Sequence, residues 1–215
     1  MKKWQGLIYP DINLIRFFYK NRLHTEKGNV LEIGCGHGNN LRLFAENGWN
    51  VTGTDICSNS IAAAKSNFEQ FDVNSLFIEG LLAEISTKLE NKYDSVILPN
   101  VINYMSIKEI KDTFDFVSKV LKKDGFFFLI TRHTSDFRCG FGDQIGKNQW
   151  KLNSDTTGEK GTSQLFFEEW EIKDLVQKHI KLKEESLIIL RRTFDEIQKE
   201  MKIFNADTII YGKKL

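Results

Sequence analysis

Through the first 130 residues, short apolar runs alternate with longer stretches in which apolar positions recur every three or four residues. Asn29–Ile33 (NVLEI), Trp49–Thr54 (WNVTGT), Leu76–Ile78 (LFI), Tyr93–Leu98 (YDSVIL) and Phe126–Thr131 (FFFLIT) read as five strands. The stretches between them predict helices over Leu41–Asn47, stopped by Gly48, over Ser58–Phe71, capped by Ser58 or Asn59, and over Ile107–Leu121. A further helix over Asp11–Arg22 precedes the first strand: Ile12, Ile15, Phe18 and Tyr19 share a face, and Asp11 is the expected N-cap. Strands that are near-continuous apolar runs and alternate with helices imply a parallel sheet covered on both faces. After residue 131 the pattern changes. Residues 132–164 are polar and glycine-rich without a period, which predicts a long loop or an insertion with short elements. Phe167–Ile180 then reads as a helix, with Trp170 at core spacing, and Leu182–Arg191 and Thr208–Tyr211 as a closing, hairpin-like pair of strands.

The candidate chemistry sits where the first strand ends. Val30-Leu31-Glu32-Ile33 runs straight into Gly34-Cys35-Gly36-His37-Gly38 and then into a helix. Glycines let the backbone turn tightly and approach a ligand, and the helix start offers unpaired N–H groups and a positive dipole end. A dinucleotide fingerprint, G-x-G-x-x-G, needs glycine at position 39, where this chain has Asn39. The spacing therefore argues against a nicotinamide-dependent oxidoreductase, the alternative enzyme class for such a loop. Without a pyrophosphate to cradle, the loop fits an amino-acid nucleoside. The next strand ends in Asp55, whose carboxylate can accept hydrogen bonds from both hydroxyls of a ribose, with Ile56 and Cys57 then against the base.

These motifs identify a resemblance. VLEIGCGHGNN is similar to motif I of the class I S-adenosylmethionine-dependent methyltransferases, and VTGTDIC to their second, acidic motif. KYDSVILPNVINYM and LKKDGFFFLITRH resemble the fourth- and fifth-strand motifs, and the two ends YPDINLIRFF and DTIIYGKK also resemble ends found in the small stand-alone bacterial members. The resemblance implies an α/β, Rossmann-like fold: a seven-stranded, mostly parallel sheet in the order 3-2-1-4-5-7-6, strand 7 antiparallel, helices on both faces. It implies binding at the carboxyl ends of the strands. It makes S-adenosyl-L-methionine the cofactor and S-adenosyl-L-homocysteine the product, with Glu32, Gly34, Cys35, Gly36 and Gly38 shaping or touching the methionine end and Asp55 on the ribose. Ile56 and Asn100 join the cofactor-binding set, as do Tyr9 and Arg16 from an N-terminal segment, residues 1–28, expected as a helical cap over the donor. One departure stands out. Many members carry an acid after strand 3 that binds the adenine amino group; here Leu81 of Glu79-Gly80-Leu81-Leu82-Ala83 occupies that place, which leaves backbone groups or Glu84 to hold adenine.

For the acceptor, Asn100, Asn103 and Tyr104 follow the fourth strand, and Arg132, His133 and Asp136 the fifth. His133 and Asp136 are the candidate catalytic proton acceptors for a hydroxyl substrate. The 132–164 insertion is expected beside the acceptor. With 30 basic and 29 acidic residues the net charge is +1, so no broad basic face marks a nucleic-acid or membrane partner. A small polar acceptor, a sugar or sugar-nucleotide hydroxyl, is the expectation, with a noncatalytic binding protein as the further alternative. Three cysteines without CxxC spacing exclude a disulfide framework and a zinc site, so no metal is expected. The start, Met1 to Gly6, lacks a signal-peptide stretch and the longest apolar run, Phe126–Ile130, is too short to span a bilayer, so a single cytoplasmic domain over residues 1–215 is expected.

Overall fold

The computed structural model describes residues 3–89, 92–153, 158–198 and 201–215. Ten strands follow in chain order: β1 (Asn29–Ile33), β2 (Asn50–Asp55), β3 (Ser75–Glu79), β4 (Tyr93–Pro99), β5 (Leu121–Arg132), β6 (Gly142–Gly146), β7 (Gln149–Leu152), β8 (Ser163–Leu165), β9 (Ile188–Gln198) and β10 (Met201–Lys213). The α-helices are α1 (Ile12–Lys20), α2 (Asn39–Glu46), α3 (Ser58–Phe68), α4 (Leu82–Ile85), α5 (Ile107–Val120) and α6 (Glu169–His179). Seven strands form one sheet in the order β3-β2-β1-β4-β5-β10-β9. β1 to β5 pair in parallel and β10 runs antiparallel to both β5 and β9. With β6–β8 set apart in their own antiparallel sheet, β9 and β10 are the sixth and seventh strands of the expected order.

Alternation along each strand divides the apolar core into two layers. Val30, Val51, Ile97, Phe128, Ile130 and Ile209 pack under α1, α2 and α3. Leu31, Val96, Leu98, Phe127, Leu129 and Ile210 pack under α5 and α6. This two-sided burial is why the strands read as unbroken apolar runs rather than as alternating ones.

Helix starts follow local chemistry. Asp11 caps α1 through Oδ1, which accepts from the Asn13 N–H at 2.7 Å. Arg192 donates to the other Asp11 oxygen at 3.0 Å and to Asp207, which joins the cap to β9 and β10. Ser106 and Glu109 form a reciprocal capping box on α5.

Several expectations are corrected. Of the two forms expected for residues 132–164 the structure has the insertion with short elements: β6, β7 and the start of β8 lie within them, and residues 154–157 are outside the described set. The strand expected over Leu182–Arg191 begins at Ile188 and runs on to Gln198, and its partner begins at Met201 rather than Thr208. β5 starts at Leu121, because Leu121 pairs with Tyr93 before the expected turn, where Asp124 has φ +62°. α2 starts two residues early, at Asn39, because Gly38 in the left-handed region ends the loop there. α3 ends at Phe68, and its N-cap is Cys57, without a side-chain cap bond. Trp170 is 61% exposed, not core, while Phe166 and Phe167 are buried.

Candidate functional site

The carboxyl ends of β1, β2, β3 and β4 open into a cleft of about 750 Å³ that continues between α4 and α5. A smaller hollow of about 230 Å³ lies at the opposite, amino end of the sheet, around Trp49, Asp94 and Gly125. Ligand sites in open α/β sheets form at the carboxyl ends, which favours the larger cleft.

The glycine loop is fastened from three sides. The N–H groups of Gly34 and Cys35 both donate to the Thr54 carbonyl, at 2.8 and 2.9 Å, carrying the β1–β2 ladder past the end of the strands. Gly34 has φ +75°. A Cβ there would lie 2.3 Å from Val101 Cγ2, so the position takes only glycine while Val101 stays where it is. The Asp55 carboxylate bridges the two loops: Oδ2 accepts from the Gly36 N–H at 2.9 Å and Oδ1 from the Cys57 N–H at 2.9 Å. Each oxygen keeps a lone pair for a further donor. At Gly36 a Cβ would meet nothing within 4 Å, so the backbone there borders open space.

Glu32 works from below. It is wholly buried, and Oε1 accepts from Asn40 Nδ2 at 2.8 Å while Oε2 has no hydrogen-bond partner among the described residues. Asn40 Oδ1 in turn accepts from the Asp11 N–H, so one acid joins β1, the start of α2 and the start of α1. Burial pushes its pKa up from 4.5 to about 8, against the lowering effect of the Asn40 bond; the charge of Asp55 adds to the rise. Cys35 is buried against Gly53, with Sγ 2.7 Å from where a Gly53 Cβ would stand. Burial raises its thiol pKa far above the usual range, so Cys35 offers the site its backbone only.

Of the expected cofactor-binding residues, Gly34, Asp55, Ile56 and Asn100 line the cleft. Gly36 and Gly38 shape the loop beside it, Gly38 as the N-cap of α2. Ile56 is 69% exposed and Leu81 49%, two large apolar side chains left open at the mouth. Asn100 adopts φ +58° where β4 ends and lines the cleft. Residues 4–11 cross over the glycine loop: a Gly6 Cβ would meet the His37 ring at 2.5 Å, the Gln5 N–H donates to Asn67, and the Tyr9 carbonyl accepts from Asn39 Nδ2 at 3.0 Å. The Tyr9 ring is 80% exposed there. Arg16 is exposed on α1 and is not part of the cleft wall.

The structure does not bring His133 and Asp136 to the cleft. His133 is buried, with Nδ1 accepting from the Ser135 N–H at 3.0 Å and Nε2 3.7 Å from Glu168. Burial, reinforced by the charge of Arg191, holds its pKa below the ordinary range. Asp136 is buried and receives Arg138 on both oxygens, at 2.8 and 2.9 Å, together with the N–H groups of Arg138 and Ala206. What reaches the cleft instead is Tyr104, whose hydroxyl donates to Glu159 at 2.8 Å. The same carboxylate accepts from Arg132 Nη2 at 2.7 Å, Arg138 Nε at 2.7 Å and Gln164 Nε2 at 3.0 Å. Burial and the Glu159 charge raise the Tyr104 pKa. The inserted sheet is thus anchored to the cleft rim by one acid. Sequence reasoning singled out Tyr104 and Arg132 but missed Glu159, whose only local signal is the short Gly158-Glu159-Lys160-Gly161 segment.

A family model described as a methyltransferase domain matches residues 30–125, from β1 through the start of β5. A protein named as a methyltransferase, YqeM of Bacillus subtilis, is 33% identical over 116 residues, which cover 51% of this chain and 44% of YqeM. A SAM-dependent methyltransferase from Methanosarcina mazei superposes with a TM-score of 0.66 at 20% identity, covering 90% of this chain and 98% of that one. Magnesium protoporphyrin IX methyltransferase from Synechocystis, solved with SAM bound, gives a TM-score of 0.57 at 15% identity, covering 94% and 77%. Residues 30–125 thus carry the methyltransferase-domain match, and the chain has the fold of these solved S-adenosylmethionine-dependent methyltransferases. The chain spans less than half the length of the curated relatives it matches. The family match covers the glycine loop, Asp55 and the β4 loop, whereas the inserted sheet with Glu159 lies outside it. The match thus spans the glycine loop, Asp55 and Tyr104, while Arg132, Arg138 and Glu159 lie beyond it.

Proposed function

We propose that this chain transfers a methyl group from S-adenosylmethionine to a small polar acceptor, a sugar or sugar-nucleotide hydroxyl. The observation that carries the donor half is the Asp55 carboxylate, bonded at once to the glycine loop and to the start of α3 at the mouth of the cleft. The donor supplies an electrophilic methyl on a sulfonium whose departure leaves a neutral thioether. The chain's residues then have to bind and align. Asp55 orients the ribose, the Gly34–Gly38 backbone passes under the amino-acid moiety, and Ile56 and Leu81 face the adenine. Alignment of this kind supplies much of the acceleration in a displacement of a neutral leaving group.

The acceptor half is supported by the rim. Asn100 and Tyr104 present an amide and a phenol hydroxyl at the cleft, and the Arg132–Glu159 pair stands behind the phenol. Hydroxyl-rich ligands suit such neutral polar groups, and the balanced net charge gives a phosphate backbone no extended basic track. We read His133 and Asp136 as residues that hold the insertion rather than as bases, because the Nδ1 lone pair and both carboxylate oxygens are already engaged. Among the described residues no helix is long and apolar enough to cross a membrane. A screen of sugars, sugar nucleotides, small amines and tRNA, read by S-adenosylhomocysteine release, tests the reading. Turnover on a sugar-class hydroxyl is expected; turnover on tRNA alone overturns the acceptor assignment.

A further inference from the structure

The cleft is longer than the wall that the donor reading uses. Beyond Ile56 and Leu81 it runs on between α4 and α5, with Leu82, Met105 and Phe116 as its apolar wall, Ala83, Ser86 and Thr113 as small side chains, and Glu109, Asp112, Asp115 and Lys119 of α5 as its charged edge. Its volume of about 750 Å³ lies in the upper part of the roughly 300–1,000 Å³ range of small-molecule sites. Leu81, half exposed beside Gly80 after β3, lines the cleft with an apolar side chain at the place where the resemblance implies an acid. The other carboxylates of the wall are committed or remote from that corner. Asp55 holds the two loops, Glu109 closes the α5 capping box, Asp112 pairs with Lys108 at 3.5 Å and Asp115 bonds His179 at 2.7 Å. Glu84 is exposed on α4 and is not among the residues that line the cleft, although its Oε2 lies 3.8 Å from where a Gly80 Cβ would stand; as an exposed side chain it is no fixed acceptor.

An adenine seated between Ile56 and Leu81 therefore meets no fixed acceptor for its amino hydrogens from these side chains, and an apolar trough leads away from it. We propose that the donor site is open at the adenine end and that the chain binds adenosyl ligands carrying an apolar arm on the 6-amino group, the arm lying in the α4–α5 trough against Leu82, Met105 and Phe116. The inference rests on the donor reading above. Replacing one amino hydrogen by an alkyl or aryl group is a severe penalty where a carboxylate accepts that hydrogen, because the acid is left buried and unpaired. Here the substitution removes no such bond and buries apolar surface instead.

The test compares S-adenosylhomocysteine with its N6-benzyl derivative by calorimetry on the purified chain. The expected result is a Kd for the benzyl ligand equal to that of the parent within threefold, or tighter. Parent binding with the benzyl ligand more than threefold weaker overturns the proposal. Absence of binding by the parent itself overturns the donor reading first, and this proposal with it, so the two failures are distinct. Phe116→Ala and Ser86→Trp locate the arm: the first removes its apolar wall and the second fills the trough. Each is expected to weaken the benzyl ligand at least fivefold relative to the parent. An equal effect on both ligands from both variants places the arm outside the trough and refutes the assignment.

Discussion

Replacing Glu32 by glutamine isolates the least comfortable group in the structure. The carboxyl is wholly buried, has one donor on Oε1 and no hydrogen-bond partner on Oε2 among the described residues, and has its pKa raised from 4.5 to about 8, chiefly by burial. The folded state thus keeps a proton that the unfolded chain releases above pH 4.5. A raised pKa gives stability that is complete below the unfolded value and is lost as pH climbs through the folded one. Each pH unit inside that window removes about 1.4 kcal/mol. From 4.5 to about 8 the loss reaches about 5 kcal/mol, and at pH 7 about 3 kcal/mol. Glutamine has the same shape, keeps an oxygen for Asn40 and does not titrate. Urea unfolding of both proteins at pH 5, 6, 7 and 8, followed by circular dichroism, subtracts every other titrating group. The stability difference in favour of Glu32→Gln is expected to be small at pH 5 and to widen by about 1 kcal/mol or more per pH unit up to pH 8. Parallel pH profiles would refute the reasoning, since they require Glu32 to titrate alike in the folded and unfolded chain.

Three other substitutions probe the cleft. Gly34→Ala forces a side chain into φ +75° and to 2.3 Å from Val101, so a stability loss above about 2 kcal/mol is expected in thermal or urea unfolding, partly restored by Val101→Ala. Asp55→Ala removes the shared acceptor of Gly36 and Cys57 and is expected to weaken S-adenosylhomocysteine by about 1–3 kcal/mol in calorimetry; an unchanged Kd would remove Asp55 from the donor site. Tyr104→Phe deletes the hydroxyl bond to Glu159 and should raise the acceptor KM several-fold while leaving S-adenosylhomocysteine affinity alone, a split that steady-state kinetics with calorimetry reads directly.

The end of the cleft that we read as the donor half was legible in the sequence because its signals are local. Gly34, Gly36 and Gly38 declare left-handed backbone, Asp55 closes a short apolar strand, and β1, β2 and β4 carry apolar runs because both of their faces are covered. Asp11 was readable as a cap for the same reason, since the bond it makes reaches only two residues along. The second half depends on partners far away in the chain. β6 has the sequence GDQIG and no buried residue, so no alternation marks it. β9 extends past the core into Thr193–Ile197, where every side chain is exposed and no apolar period marks the strand, although the backbone ladder to β10 continues. Glu159 gains its place from Tyr104, Arg132 and Arg138, residues 21 to 55 positions away, and no pattern around it announces that. His133 and Asp136 were read as chemistry because they follow β5; their burial and ready partners are tertiary facts.

The most direct measurement is a calorimetric titration of S-adenosylhomocysteine into the purified chain and, in parallel, into Asp55→Ala. The account predicts one-to-one binding that the substitution weakens by roughly fivefold or more. A silent titration of the unaltered chain, or identical curves for the two proteins, contradicts the claim that the glycine loop and Asp55 together hold the methyl donor.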